Sequence, residues 1–261
     1  MNEKLLQIEG LTVQFGGVTA VDGLNMELRS GEILGLIGPN GAGKTTVFNC
    51  ITGLLKPKTG KIVFHPEERL SLLELAPHEV ISVGIARTFQ NIRLFPNMSV
   101  MENVLVGRHC RMQGGVWDAL LRTSTHKTEE GAERNRAREF LKFVGLEGRN
   151  EDLGRNLPYA DQRRLEIARA LASEPALLLL DEPAAGMNQG EKKSLMQLIG
   201  EVQKRGTTIL LIEHDMKVVM GISHRVAVMD FGRKIAEGSP ESIQNNADVI
   251  EAYLGPTPME K

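Results

Sequence analysis

The chain has 261 residues, 41% of them hydrophobic and 25% charged, a balance that excludes disordered and fibrous classes and leaves a globular protein of one large domain, with or without an inserted lobe. Its 31 Lys and Arg against 33 Asp and Glu give a net charge of -2, which supplies no basic field for phosphate backbones, so no nucleic acid partner is expected. Cys50 and Cys110 form neither a CxxC pair nor a secreted-type framework, which points to a reducing cytoplasm and to core packing for both.

The first ten residues, MNEKLLQIEG, contain no apolar leader. The apolar run Glu32 to Ile37 predicts a buried strand, and it leads directly into Gly38-Pro39-Asn40-Gly41-Ala42-Gly43-Lys44-Thr45-Thr46. That segment fits GxxxxGK[ST] in full, between a strand and a helix as a phosphate-binding loop requires. Its glycines let successive N–H groups and the following helix N-terminus converge on phosphates. Lys44 then supplies a positive charge to the β- and γ-phosphates, and the Thr45 hydroxyl a ligand to Mg²⁺.

From about Asn91 to Arg164 strand signal fades and helical stretches dominate, the pattern of an inserted helical lobe. Ala137, Phe140, Leu141 and Val144 share a helical face that Gly145 stops, while Met112 to Gly115 and Thr123-Ser124-Thr125 read as surface breaks. Leu165, Ala168 and Leu171 or Ala172 predict another helix, with Pro175 beyond its end.

Ala176 to Leu180 is the longest purely apolar run, far too short to cross a bilayer, so any membrane connection is expected to pass through a partner. It reads as a buried strand that cannot keep a bare carboxylate within it, so Asp181-Glu182 must emerge at its C-terminal edge, where α/β folds bind ligands. Asp181 becomes the Mg²⁺ partner expected of a P-loop protein, and Glu182 a candidate to polarise the attacking water. Leu195, Leu198, Ile199 and Val202, closed by Gly206, form a helix before the strand Thr207 to Ile212. Val226 to Met229 predicts a further strand, and the tail from Gly255 to Lys261 is expected to fray.

Four further pieces resemble the ABC ATPase family: Gln90 after Arg87-Thr88-Phe89, the run LPYADQRRLEIARAL from Leu157 to Leu171, Gly186-Met187-Asn188 after the acidic pair, and His214. Their order and spacing match that family from Leu5 to Leu254. The resemblance implies an α/β fold: a P-loop NTPase (RecA-like) core with a parallel sheet, an N-terminal antiparallel β portion and an inserted helical subdomain. It implies one ABC ATPase domain over 1–261, with a nucleotide-binding core of 1–90 and 165–240, a signature lobe of 91–164 and a C-terminal extension of 241–261.

It also implies that Gln90 senses Mg²⁺ and water while linking the site to a membrane subunit, that His214 contacts the γ-phosphate, and that Phe15 stacks on adenine. Read from the residues alone, Gln90 is equally a solvated loop residue, His214 a strand-end histidine and Phe15 a core aromatic. In this family the signature segment of one chain completes the ATP site of another, so a second ABC ATPase chain, identical or related, is an expected partner. Here that segment reads Leu157-Pro158-Tyr159-Ala160-Asp161 where the family has Leu-Ser-Gly-Gly-Gln, which removes the serine hydroxyl from the second half-site. Either the helix N-terminus compensates or ATP-driven closure is weaker.

A narrower resemblance, to the ATP-binding subunits of branched-chain amino acid importers, rests on Asp181 to Asn188, Arg163 to Arg169, Ile212 to Lys217 and Ala252-Tyr253-Leu254-Gly255. It implies an ATPase with Mg²⁺ as cofactor, permease subunits in the membrane, a solute-binding protein beyond them, and a place on the cytoplasmic face of the inner membrane. Importers for urea or short amides share much of the pattern, so the cargo stays open between these. A stand-alone GTPase would need an NKxD motif, which is absent, and ABC ATPases of DNA repair or translation usually carry long coiled-coil insertions or tandem units that 261 residues do not hold.

Overall fold

Twelve-residue strands β1 (Lys4–Phe15) and β2 (Val18–Arg29) begin the chain, and their alternating exposure is that of antiparallel strands with one face on a core. The computed structural model describes residues 3–66, 68–111 and 124–254. After β3 (Ile33–Ile37) and α1 (Lys44–Ile51) come β4 (Thr59–Phe64), β5 (Leu70–Ser71), α2 (Pro77–Ser82) and β6 (Ile85–Arg87). Helices α3 (Val100–Arg108), α4 (Ser124–Phe143) and α5 (Tyr159–Leu171) follow. The chain then runs through β7 (Leu177–Asp181), α6 (Gln189–Lys204), β8 (Thr208–Ile212), α7 (Met216–Ile222), β9 (Arg225–Asp230), β10 (Arg233–Gly238), α8 (Pro240–Gln244) and α9 (Ala247–Leu254).

Two compact units result: Met1–Arg87 with Ala176–Lys261, and Thr88–Pro175. In the first, a sheet of order β2-β1-β4-β5 is antiparallel, and a second of order β10-β9-β3-β8-β7-β6 is parallel from β9 to β6. This is the α/β architecture expected, with the antiparallel portion at the N-terminal end. Every residue of β3, β7 and β8 is buried, because a parallel sheet is covered on both faces. The expected strand at Glu32 to Ile37 starts one residue later. The Glu32 carboxylate accepts from Arg29 N–H at 2.6 Å and pairs with Arg225 at 2.8 Å, while its carbonyl accepts from Ile209 N–H at 2.9 Å at the start of the ladder.

In α6, Leu195, Ile199 and Val202 are buried, Leu198 is half-buried, and Gly206 at φ 96 follows the end as expected of a left-handed cap. Strand order turns back on itself around β3, so the loops after β3, β7 and β8 meet at the C-terminal edge of the sheet, where doubly wound folds place ligands.

In the second unit α5 packs against α3 and α4. The expected lobe of 91–164 would cut α5 in half; the helix runs unbroken through Arg164, because its buried face of Leu165, Ala168 and Leu171 belongs to this unit's interior. Ala137, Leu141 and Val144 are buried and Gly145 lies at φ 77, as the helical pattern requires. Ser124 and Thr125 lie in the first turn of α4 instead of breaking the chain there. Met112 to Gly115, Thr123 and the tail from Gly255 lie outside the described residues.

Candidate functional site

The phosphate-binding loop departs from β3 with Gly38, Gly41 and Gly43 at φ 147, 83 and 99. At two of them space is as restrictive as the dihedral. A Cβ on Gly38 would lie 2.0 Å from the Met229 carbonyl oxygen, and one on Gly43 2.4 Å from that of Ala20. The loop is tied down by an Ala42 to Pro39 hydrogen bond of 3.2 Å and by Gly232 N–H donating to the Ala42 carbonyl at 3.2 Å. Asn40, Gly41 and Thr45 are exposed, and Pro39, Lys44 and Thr46 are half-buried, so the loop and the first turn of α1 are open to a ligand.

Lys44 Nζ donates to the carbonyls of Gly38 and Pro39 at 2.7 and 2.9 Å. Burial holds its pKa below the usual lysine value, and the charges of Glu182 and Asp181 oppose that shift. An ammonium desolvated in this way is stabilised further by any phosphate brought beside it.

Asp181 closes β7 with only 3% of its surface exposed, and Arg87, the last residue of β6, donates to its Oδ2 at 2.7 Å. Glu182 follows at φ 47, an uncommon conformation for a non-glycine residue, its N–H held by the Ile212 carbonyl at 2.9 Å. Its carboxylate lies 3.5 Å from His214 Nδ1, and His214 is 63% exposed. The structure therefore gathers Lys44, Thr45, Asp181, Glu182 and His214 around one sheet edge, as β3, β7 and β8 each end there. Phe15 ends β1 with 51% exposure and is no core residue.

The remaining expected residues belong to the second unit. Gln90 is exposed and its carbonyl accepts from Arg163. Pro158 caps α5 at φ -55 and ψ 153, Tyr159 is 44% exposed, Ala160 is half-buried, and Asp161 lies in the first turn 3.8 Å from Arg149.

Several residues of consequence are not signalled by motif. Buried Glu213 accepts from Ala184 N–H at 2.7 Å and His214 N–H at 3.2 Å, which ties the segment after Glu182 to the one bearing His214. Burial pushes its pKa up, against those hydrogen bonds. A carboxylate following the apolar run of β8 is the only sequence sign of it. Asn49 accepts from Arg87 at 2.7 Å, and nothing in the sequence pairs them.

As a metal site the donors are hard oxygens, the Thr45 hydroxyl and the Asp181 carboxylate, and no group of three or more His, Cys, Asp or Glu that could cage a metal occurs among the described residues. That set suits Mg²⁺, which binds through one or two protein oxygens and substrate phosphates, and not a zinc-type site.

A family model described as ABC transporter matches residues 21–185, and a second, described as branched-chain amino acid ATP-binding cassette transporter, matches 233–255. The high-affinity branched-chain amino acid transport ATP-binding protein LivG of Escherichia coli K12 is 48% identical over 256 residues, 98% of this chain and 99% of that one. The chain belongs to the ABC transporter ATP-binding family. The fold of this ABC ATPase agrees with the ADP conformation of MJ1267, an ATP-binding cassette of an ABC transporter, at a TM-score of 0.82 and 29% identity over 97% of this chain and all of that one. It also agrees with the dimeric post-hydrolysis state of the cassette MJ0796 bound to ADP and Pi, at a TM-score of 0.75 and 25% identity over 90% and 99%. No helix of the ABC ATPase is, among the described residues, long and apolar enough to cross a membrane.

Proposed function

We propose that this ABC ATPase energises an importer for branched-chain amino acids, working as a dimer on the cytoplasmic face of the membrane. The observation that carries the chemistry is the meeting of Lys44, Asp181, Glu182 and His214 at one sheet edge. Support for the cargo is the likeness to LivG along nearly the whole chain, together with the match over 233–255. In this reading 1–261 act as one ABC ATPase domain, with 241–261 as its C-terminal extension.

The N–H groups from Gly38 to Thr46 and the α1 N-terminus take the phosphates, with Lys44 on the β- and γ-oxygens. Phe15, exposed at the end of β1, presents a ring to adenine. Thr45 and Asp181 would hold Mg²⁺. Bound there, Mg²⁺ would neutralise charge on the phosphate oxygens. Glu182, held at its unusual φ, polarises water, and His214 beside it orients toward the γ-phosphate. Catalysis is then mostly positioning and electrostatics. Pro158 to Asp161 of a second chain, with the Tyr159 and Ala160 N–H groups at the α5 start, complete the site across a dimer. Permease subunits, and through them a solute-binding protein, are the remaining partners.

Two variants test the site. Lys44→Ala is expected to weaken ATP binding and abolish hydrolysis, whereas Glu182→Gln should bind Mg-ATP, accumulate a dimer by light scattering and lose about 10²–10⁴-fold in turnover. Near-normal ATPase activity in either purified variant overturns that residue's role. Uptake of labelled leucine, isoleucine, valine and urea by a strain lacking the chain decides the cargo.

A further inference from the structure

Arg87 lies at the end of β6 and reaches two elements at once. One guanidinium nitrogen donates to Asp181 Oδ2 on β7 at 2.7 Å, and the other donates to Asn49 Oδ1 on α1 at 2.7 Å. The guanidinium carbon sits 5.4 Å from the centre of the Phe48 ring, also on α1. Both charged side chains are nearly buried, at 7% and 5% exposure. An exposed pair would contribute little. A carboxylate taken into a sheet interior must be compensated, and the planar two-pronged donor here fixes direction as well as charge.

The helix that Arg87 grips is the one that begins with Lys44 and Thr45. The strand it grips ends in Asp181. One side chain therefore sets the separation and orientation of the two oxygen donors that the proposed function gives to Mg²⁺. We infer that Arg87 is a positioning residue that holds Asp181 in register with the Thr45 helix, so that the Mg²⁺ site is assembled before the nucleotide arrives. This rests on Asp181 as a metal ligand, and Arg87 acts only through it.

The opposite expectation is physically clear. A cation beside a metal ligand repels the metal, and if repulsion dominated, removing Arg87 would tighten Mg²⁺ binding. Positioning predicts the reverse sign. Lysine keeps the charge but offers a single nitrogen, so it cannot span Asn49 and Asp181 as the guanidinium does.

The test is calorimetric titration of a non-hydrolysable ATP analogue into the full-length protein, once with EDTA and once with Mg²⁺ or Mn²⁺. The quantity read is the gain in affinity on adding metal. Arg87→Met should lower that gain about ten-fold or more, and Asn49→Ala and Arg87→Lys about three-fold, with metal-free affinity held within about two-fold throughout. A merely structural role would lower both affinities together, and that result, or an unchanged or larger gain in Arg87→Met, overturns the inference. If Arg87→Met does not fold, Arg87→Lys and Asn49→Ala decide by the same ratio. Asp181→Asn separates the two levels: a normal gain there removes the metal-ligand reading itself, whereas its loss beside a normal gain in the Arg87 variants rejects only the inference.

Discussion

In the unit formed by Met1–Arg87 and Ala176–Lys261, β3 is apolar throughout, β8 is apolar after its first residue, Thr208, and β7 is apolar up to its last, with buried charge at strand ends such as Arg87, Asp181 and Glu213. In the unit Thr88–Pro175 the largest fully buried side chains are instead two arginines. Arg108 pairs with Glu133 and Glu174 and donates to the Ala172 carbonyl at 3.1 Å. Arg163 pairs with Glu166 at 3.0 Å and donates to the carbonyls of Phe89 and Gln90, while Glu166 accepts the N–H groups of Phe89 and Arg93 at 3.3 Å. The sheet satisfies its own backbone through the ladder, so its interior can be hydrocarbon and its charges kept for the edge. In the lobe the irregular chain at 89–93 has no ladder, and the buried charges of Arg163 and Glu166 bond its N–H and carbonyl groups instead.

The largest expected effect tests that account directly. Arg163→Met keeps volume and removes the donors, leaving Glu166 buried at 1% exposure without its counter-charge. Urea unfolding should show a loss of about 3–5 kcal/mol, the range for breaking a buried pair from one side. A loss below about 1 kcal/mol would mean that the lobe does not depend on this pair.

The same contrast explains what could be read from the sequence. Strands β3, β7, β8 and β9 were legible to within a residue or so because burial on both faces writes itself as an apolar run, and the GxxxxGK[ST] loop because its glycines answer to steric limits. The turns of α4 and α6 were legible from Ala137, Leu141, Val144, Leu195 and Ile199 at helical spacing. Strands β1 and β2 alternate irregularly, since their pairing shifts register at several points, and the three residues of β6 are too few to show a period. The roles of Arg87, Arg163 and Glu213 have no local sign for another reason. Each gains its meaning from a partner 29 to 94 residues away, and no local pattern encodes such a meeting.

A middle-sized effect sharpens the edge half of the comparison. Glu213 is buried among acceptor-seeking N–H groups of Ala184, His214 and Asp215, and burial still wins, raising its pKa above the unfolded 4.5. Between these two values the native state holds a proton that the unfolded chain has released, so this group's contribution falls as pH rises through the window, the reverse of a salt-bridged carboxylate. Glu213→Gln removes the titration. The stability of the parent minus that of the variant, measured by urea unfolding from about pH 4 upward, should decline with pH by no more than about 1.4 kcal/mol per unit. A flat or rising difference would mean that the hydrogen bonds outweigh burial.

The smallest stability effect concerns the start of α5, which departs from the capping seen at helices of both units. Helices α3 and α6 begin with capping boxes at Ser99 and Asn188, whereas α5 begins at Pro158 with no side-chain cap. Pro158→Ser at φ -55 and ψ 153 would place a hydroxyl where it can accept from the Ala160 or Asp161 N–H, a gain of about 0.5–1 kcal/mol. Losing the proline frees the unfolded chain and costs about 0.4–1 kcal/mol. The two terms nearly cancel, and urea unfolding should find the variant within about 0.5 kcal/mol of the parent. That near-neutrality makes the functional comparison clean. A hydroxyl can accept from the helix N–H and still donate, so the serine remains able to bond a phosphate held in the facing half-site of a dimer. One added hydrogen bond to a charged group should tighten ATP-dependent dimerisation roughly ten-fold and raise turnover in the assembled transporter. Titrations of dimer against ATP for the two proteins read this directly. Superimposable curves would mean that the Tyr159 and Ala160 N–H groups already supply what the missing serine would, and that Pro158 does not limit this ATPase.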